Sequence, residues 1–170
     1  MKLTKIFSSE GKCPVCGSEK LEINTYIYEV PYFDEIIIEV WKCGNCGYRK
    51  SDVATLEQRN EVKIVFSVKE LRDLNALLIK SSTASIEIPE LGIEIFPGPA
   101  AQGYITTIEG LLERILENTP AECFQENSHC NEFVKKIRKA MNGEISFTVI
   151  LTDPHGKSTI RNINNHNTSQ

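Results

Sequence analysis

The 170-residue sequence contains no apolar run longer than four residues, far short of the roughly 20 that a helix needs to cross a bilayer. Its opening stretch, MKLTKIFSSEGKC, also lacks the apolar core of roughly 7 to 15 residues that marks a secretory signal. No sign of charge dominates. Nineteen Lys and Arg face 23 Asp and Glu, for a net charge of −4, so no global field draws the chain to nucleic acid or to an anionic membrane. Histidine is scarce, with three in all. His129 falls in an expected interhelical loop and His166 in a polar tail, which leaves no ordered histidine to pair with a nucleophile and an acid. Together these absences point to a soluble, cytoplasmic chain that is not an enzyme, has no small-molecule substrate and is not associated with a membrane. With 41% hydrophobic residues it can build one core, or one core and a small module.

Cysteine, by contrast, is plentiful, and its placement is uneven. Cys13-Pro-Val-Cys16-Gly17 and Cys43-Gly-Asn-Cys46-Gly47 are two C-x2-C turns separated by 26 residues, and each turn sets two thiolates on one side of a tight loop. Two such turns complete a tetrahedron. A glycine after each second cysteine permits positive φ, which lets backbone N–H groups point at the sulfurs. Four thiolates with no open position describe a structural Zn²⁺ site holding one ion, and the sequence alone leaves iron or a redox pair as alternatives. Between the turns, LEINTYIYEV and EIIIEVWK read as paired strands of a zinc ribbon with little core of its own, so metal binding is expected to fold it. Residues 1–50 carry seven Lys or Arg and seven Asp or Glu, and a Zn²⁺ held by four thiolates adds a formal −2. That balance argues against nucleic acid, leaving only a local patch at Lys42, Arg49 and Lys50 in its favour. Tyr26, Tyr28, Tyr32, Phe33, Trp41 and Tyr48 are too many rings for a ribbon of this size to bury. Some are expected at the surface as protein-binding anchors, or packed against a second domain.

The expected organisation is an N-terminal extension over 1–10, the ribbon over 11–50, a linker over 51–60, a β-sandwich over 61–161 and a disordered polar tail over 162–170. EVKIVFSV, LNALLIK, ASIEI, GIEIF and ISFTVIL read as short strands broken by Ser, Gly and Pro. A helical hairpin is expected over about 105–142. Thr106 and Glu109 would form a capping box for a first helix that Pro120 stops, and Ser128 would cap a second that runs to Asn142, with Gly143 suited to the left-handed position just past its end. Asp153-Pro-His-Gly156 reads as a β-turn rather than a phosphate loop, because Leu151 stands where the loop glycine would be. Cys123 and Cys130 read as spare thiols around the hairpin, with a second metal half-site, a disulfide or a thiol-redox pair as the other readings.

Pro31-Tyr-Phe-Asp-Glu-Ile-Ile-Ile-Glu followed by Cys43-Gly-Asn-Cys46-Gly47-Tyr48-Arg49 resembles the zinc finger of the ZPR-type zinc-finger family. Ile88-Pro-Glu-Leu-Gly92, Gly103-Tyr-Ile-Thr-Thr-Ile-Glu-Gly110 and Asp153-Pro-His-Gly-Lys-Ser158 resemble that family's later motifs, with Lys157 where its members usually carry Asn. The resemblance implies a mainly β fold with an α insertion (α+β). In it, an N-terminal zinc ribbon precedes an antiparallel β-sandwich like a double-stranded β-helix, with an inserted helical hairpin. It implies a single module of archaeal type, where eukaryotic members look like two modules in tandem. It further implies a non-enzymatic chaperone or adaptor whose protein partner is translation elongation factor 1-alpha. The ligands carried over are Cys13, Cys16, Cys43 and Cys46, and the partner-contact candidates are Pro31, Tyr32, Phe33, Tyr48 and Arg49. The competing reading is a nucleic-acid-associated zinc ribbon of transcription or translation.

Overall fold

The structure, a computed structural model, describes residues 3–30, 35–56 and 60–162. Its N-terminal sheet is antiparallel in the order β1-β2-β3-β4, formed by β1 (Leu3–Gly11), β2 (Leu21–Glu29), β3 (Glu35–Cys43) and β4 (Arg49–Thr55). The two expected ribbon strands are β2 and β3, paired from Leu21↔Cys43 to Glu29↔Glu35. This register puts Tyr26, Ile38 and Val53 on one face and Thr25, Glu39 and Asp52 on the other. Two strands depart from the sequence expectation. The stretch expected as an extension is β1, an edge strand whose apolar side chains stay exposed, so it has no alternating burial pattern to betray it. Residues 51–55, expected as linker, belong to β4, whose polar side chains bond across to the second module instead of facing water.

The second module is built from two antiparallel sheets. One is ordered β5-β10-β7-β8, from β5 (Val62–Val68), β7 (Ser85–Ile88), β8 (Ile93–Ile95) and β10 (Phe147–Asp153); the other is β11-β6-β9, from β6 (Leu77–Lys80), β9 (Tyr104–Thr107) and β11 (Thr159–Arg161). Along β10, Phe147, Val149 and Leu151 point into the core and alternate with less buried residues, as a half-covered strand requires. β6 is different, because all four of its residues are buried. Leu78 joins the sandwich core, whereas Leu77 and Ile79 pack with Ile36 and Val53 of the ribbon sheet. A strand buried along its whole length, with apolar Leu77, Leu78 and Ile79 in succession, is what cover on both faces produces.

Helices α1 (Ile108–Glu117) and α2 (Asn131–Met141) close the sandwich, burying Ile108, Leu111, Leu112, Val134 and Ile137. Gly143 follows α2 with the expected positive φ, 75°, but the two N-caps lie close to the expected positions without matching them. Thr107 rather than Thr106 caps α1, its hydroxyl accepting from the Gly110 N–H at 3.1 Å, and the Thr106 hydroxyl occupies the space a Cβ on Gly110 would need. For α2 the N-cap is Cys130, whose N–H donates to the Ser128 hydroxyl at 3.4 Å. Cys130 is joined to Cys123 by a disulfide, which replaces the spare-thiol reading. A short 3-10 turn over Ala121–Phe124 brings their Cα atoms to 4.9 Å, within disulfide range. Asp153-Pro-His-Gly156 is the expected β-turn, with the Gly156 N–H donating to the Asp153 carbonyl.

Where the modules meet, a tightly fitted polar seam lies beside the apolar cluster of Ile36, Val53, Leu77 and Ile79. The Asp52 carboxylate accepts from the Ser82 N–H at 2.7 Å and the Ser82 hydroxyl at 2.8 Å, and the Lys157 ammonium lies 3.6 Å away. Two backbone bonds continue the seam, from the Gly103 N–H to the Ser51 carbonyl and from the Thr55 N–H to the Lys157 carbonyl. A Cβ on Gly103 would come within 2.6 Å of the Val53 nitrogen, so only glycine lets β4 lie this close. Behind the seam, Asp153 is fully buried and accepts from the hydroxyls of Ser81, Thr83 and Ser158 and from the N–H groups of His155 and Lys157. Lys80 is buried beside it, and its ammonium donates to the Ser81 carbonyl. Burial lowers the Lys80 pKa, and the Asp153 and Asp52 carboxylates oppose that shift.

Burial would raise the Asp153 pKa, but the donors, led by the Ser158 and Ser81 hydroxyls, outweigh it and hold the group below its ordinary 3.8. A folded value below the unfolded one stabilises the protein fully above the unfolded pKa, and that stabilisation is lost as pH falls through the folded value. Asp153→Asn is therefore expected to cost about 2–4 kcal/mol at pH 7 and to flatten the acid limb of the stability curve. Urea melts of both proteins between pH 7 and strong acid test this: the two curves should converge below about pH 4, and parallel curves would contradict the assignment.

Candidate metal centre

Each C-x2-C turn joins two strands of the ribbon, Cys13 to Cys16 between β1 and β2 and Cys43 to Cys46 between β3 and β4. The two turns repeat one hydrogen-bond pattern. Cys13 N–H donates to the Ser18 carbonyl and Gly17 N–H to the Cys13 carbonyl, while Cys43 N–H donates to the Tyr48 carbonyl and Gly47 N–H to the Cys43 carbonyl. Gly17 and Gly47 take φ of 71° and 76°, the left-handed conformation that closes each turn at little cost only for glycine. A further bond from the Gly44 N–H to the Lys20 carbonyl ties one turn to the other.

The result brings the four sulfurs within 4.8 Å of one another. Cys13 and Cys46 are separated by 3.7 Å, as are Cys16 and Cys43, and both of these are edges between turns. A tetrahedral Zn²⁺ with metal–sulfur distances of about 2.3 Å has sulfur–sulfur edges of about 3.8 Å, so the set fits the ion. Four sulfurs fill the coordination sphere, and one ion held this way is structural. Donors prepare the sulfurs for charge. The Ser18 N–H and then the Asn45 side chain, 3.6 Å from the sulfur, bring the Cys16 pKa down to about 6. The Cys46 and Asn45 backbone N–H groups lower that of Cys43. Cys46 has the Tyr48 N–H in its favour, yet burial and the neighbouring sulfurs push it up to about 12. Without a cation, the four cannot all be anionic near neutrality. A divalent ion supplies the missing positive charge and releases protons as it binds.

The metal end of the ribbon has almost no other core. Its buried cluster consists of Cys13, Leu21 and Cys43, with Ile23, Trp41 and Tyr48 packed alongside. Tyr48, expected as a partner contact, therefore supports the metal turns with part of its surface. Arg49 is exposed and paired opposite Lys42 at the start of β4, and Lys50 lies 5.6 Å over the Trp41 ring. Pro31, Tyr32 and Phe33 lie outside the described residues. Asn45 was missed by sequence reasoning, although an amide between two ligand cysteines was itself the available signal. Asp52 was also missed, because Ser82 is distant in sequence, and Asp153 was read only as the start of a turn, because Ser81 and Thr83, which complete its donors, are distant too.

Residues 5–62 match the ZPR1 zinc-finger domain, and residues 72–170 match the ZPR1 jelly-roll domain. An uncharacterized ZPR1-like protein of Methanocaldococcus jannaschii is 38% identical over 87% of this chain and 78% of its own length. A second such protein, from Pyrococcus horikoshii, is 38% identical over 88% of this chain and 71% of its own length. The zinc finger chaperone zpr1 of Schizosaccharomyces pombe is 32% identical over 93% of this chain but only 36% of its own length.

Asn45→Ala removes the side-chain donor to Cys16 and keeps the backbone N–H to Cys43. It is expected to lower zinc affinity about tenfold with the ribbon still folded, as loss of such outer donors typically does. Competition with a chromophoric chelator measures this, and an unchanged affinity would contradict the role assigned to the amide.

Proposed function

The chain belongs to the ZPR1 zinc-finger family, and from that premise we propose that it is a non-enzymatic, cytoplasmic protein-interaction module serving as chaperone or adaptor for translation elongation factor 1-alpha. The observation that carries the reading is the open side of the ribbon. β4 at one edge is bound to the second module, whereas β1 at the other edge displays Leu3, Ile6 and Phe7 at 58%, 52% and 59% exposure. Exposed apolar side chains on an edge strand, held in place by a closed metal site, suit contact with another protein. The name of the fission yeast relative, a zinc finger chaperone, supports the same class of activity. The Asp153 cluster supports a non-catalytic role, because its carboxylate is engaged by five internal donors and faces the core.

In this reading the ribbon covers apolar surface on an incompletely folded elongation factor, and the jelly-roll domain fixes its orientation. Release follows nucleotide binding by the client. Pro31, Tyr32, Phe33, Tyr48 and Arg49 are the contact residues this reading assigns to the ribbon.

Calorimetric titration of the zinc-loaded chain into nucleotide-free elongation factor 1-alpha tests the proposal. Micromolar or tighter binding is expected, lost in Cys43→Ser and weakened about tenfold in Phe33→Ala with zinc content unchanged. Absence of binding to nucleotide-free, nucleotide-loaded and partly unfolded factor would overturn the partner assignment. Steeply salt-dependent binding to RNA in its place would identify a nucleic-acid ribbon.

A further inference from the structure

A second surface, remote from the ribbon, has its own recognition chemistry. Between β8, α1 and the start of α2 lies a cleft of about 520 Å³ whose floor includes Ile93, Ile95, Ile115 and Phe133. Beside it a groove of about 640 Å³ runs along α2, floored by Leu91 and Ile145 and walled by Lys136 and Lys139. Gly92 and Phe133 line both, so the two hollows share one rim. Arg114, whose guanidinium lies 4.5 Å from the centre of the Tyr104 ring, also lines the first cleft.

The charges here depart from those of the chain as a whole. α2 carries Lys135, Lys136, Arg138 and Lys139 against a single acid, Glu132, in a protein of net charge −4. Lys135 is paired with Glu132 at 3.0 Å, and Arg138 lies over the Phe124 ring. Lys136, Lys139 and Arg114 have no carboxylate within ion-pair distance among the described residues. The helix dipole accounts for cations in the last turn of α2, but not for their sharing walls with an apolar floor. Glu94 on the β8 side and Glu132 at the start of α2 place two negative charges in the walls, which repel a uniform polyanion and tolerate a chain of mixed character.

We propose that this groove is a docking site for a peptide segment that alternates apolar and acidic side chains, the apolar ones seated on Ile95, Ile115 and Phe133 and the acidic ones facing Arg114, Lys136 and Lys139. Pocket size and an apolar floor provide the affinity, and the flanking cations set which segments enter and in which register. A phosphate backbone would meet the same cations, but it offers nothing to the apolar floor and is repelled by Glu94. The site is independent of the elongation-factor reading, which rests on the ribbon.

The probe is a fluorescein-labelled peptide of about 12 residues made of repeated Glu-Leu-Asp-Phe, titrated by anisotropy with the full zinc-loaded chain at low salt. Micromolar binding is expected. It should weaken about tenfold in Lys136→Gln/Lys139→Gln, and further in Lys136→Glu/Lys139→Glu, since these exposed positions can lose or reverse charge with little effect on folding. An all-acidic peptide of equal length and a Lys-Leu-Lys-Phe repeat should both bind at least about tenfold more weakly. Zinc content and elongation-factor binding should be unchanged in both variants, which separates a failure here from a failure of the ribbon reading. No binding of the acidic–apolar peptide, binding that survives charge reversal, or tighter binding of an oligouridine of similar length would each overturn the proposal.

Discussion

Four sulfurs that must lie within 4.8 Å of one another are the constraint on which the N-terminal sheet depends. They close two turns at one end of a four-stranded sheet whose local core, beyond the ligands themselves, amounts to Leu21 and a few half-buried rings. So small a cluster cannot offset the entropy of ordering about 40 residues, whereas a structural zinc ion contributes roughly 10–16 kcal/mol in comparable small domains. The donors around the sulfurs work in the same direction. The N–H groups of Ser18, Asn45, Cys46 and Tyr48 favour thiolates, and the crowding that pushes Cys46 up to about 12 in the absence of a cation is relieved when the ion binds.

The other end of the sheet depends on the jelly-roll domain. Ile36 and Val53 find their apolar neighbours in Leu77 and Ile79, and Asp52 finds its hydrogen-bond donors in the turn after β6. β6 therefore serves two cores at once, and the fully bonded Asp153 holds the turns on either side of it. The metal positions one end of the ribbon and the seam positions the other. That arrangement leaves β1 and its apolar side chains open, and it places the α1–α2 groove on a different part of the molecule.

The parts of this architecture legible in the sequence are those with local signals. The C-x2-C pairs gave the metal ligands, the alternating stretches gave β2, β3, β5 and β10, and the i, i+3, i+4 pattern gave α1. The parts that were not legible depend on partners distant in the chain. β4 is polar along most of its length and is a strand because β3 and the Ser82 and Gly103 segments complete its hydrogen bonds. β1 lacks a buried face altogether. The N-caps of α1 and α2 fell one or two residues from where composition placed them, since neighbouring Thr106 and Thr107 offer equivalent hydroxyls and only the packing of Gly110 chooses between them. Gly103 carried no local signal, because what it permits is the close passage of a strand some 50 residues away.

Hydrogen exchange of the amides with and without a strong zinc chelator tests the central dependence directly. The account predicts that removing the metal strips protection from residues 11–23 and 41–50. The strands and helices between 62 and 161 should keep theirs, and Ile36 to Ile38, packed on β6, should lose only part. Retained protection around Cys13 and Cys43 without zinc, or collapse of the jelly-roll domain together with the ribbon, would contradict it.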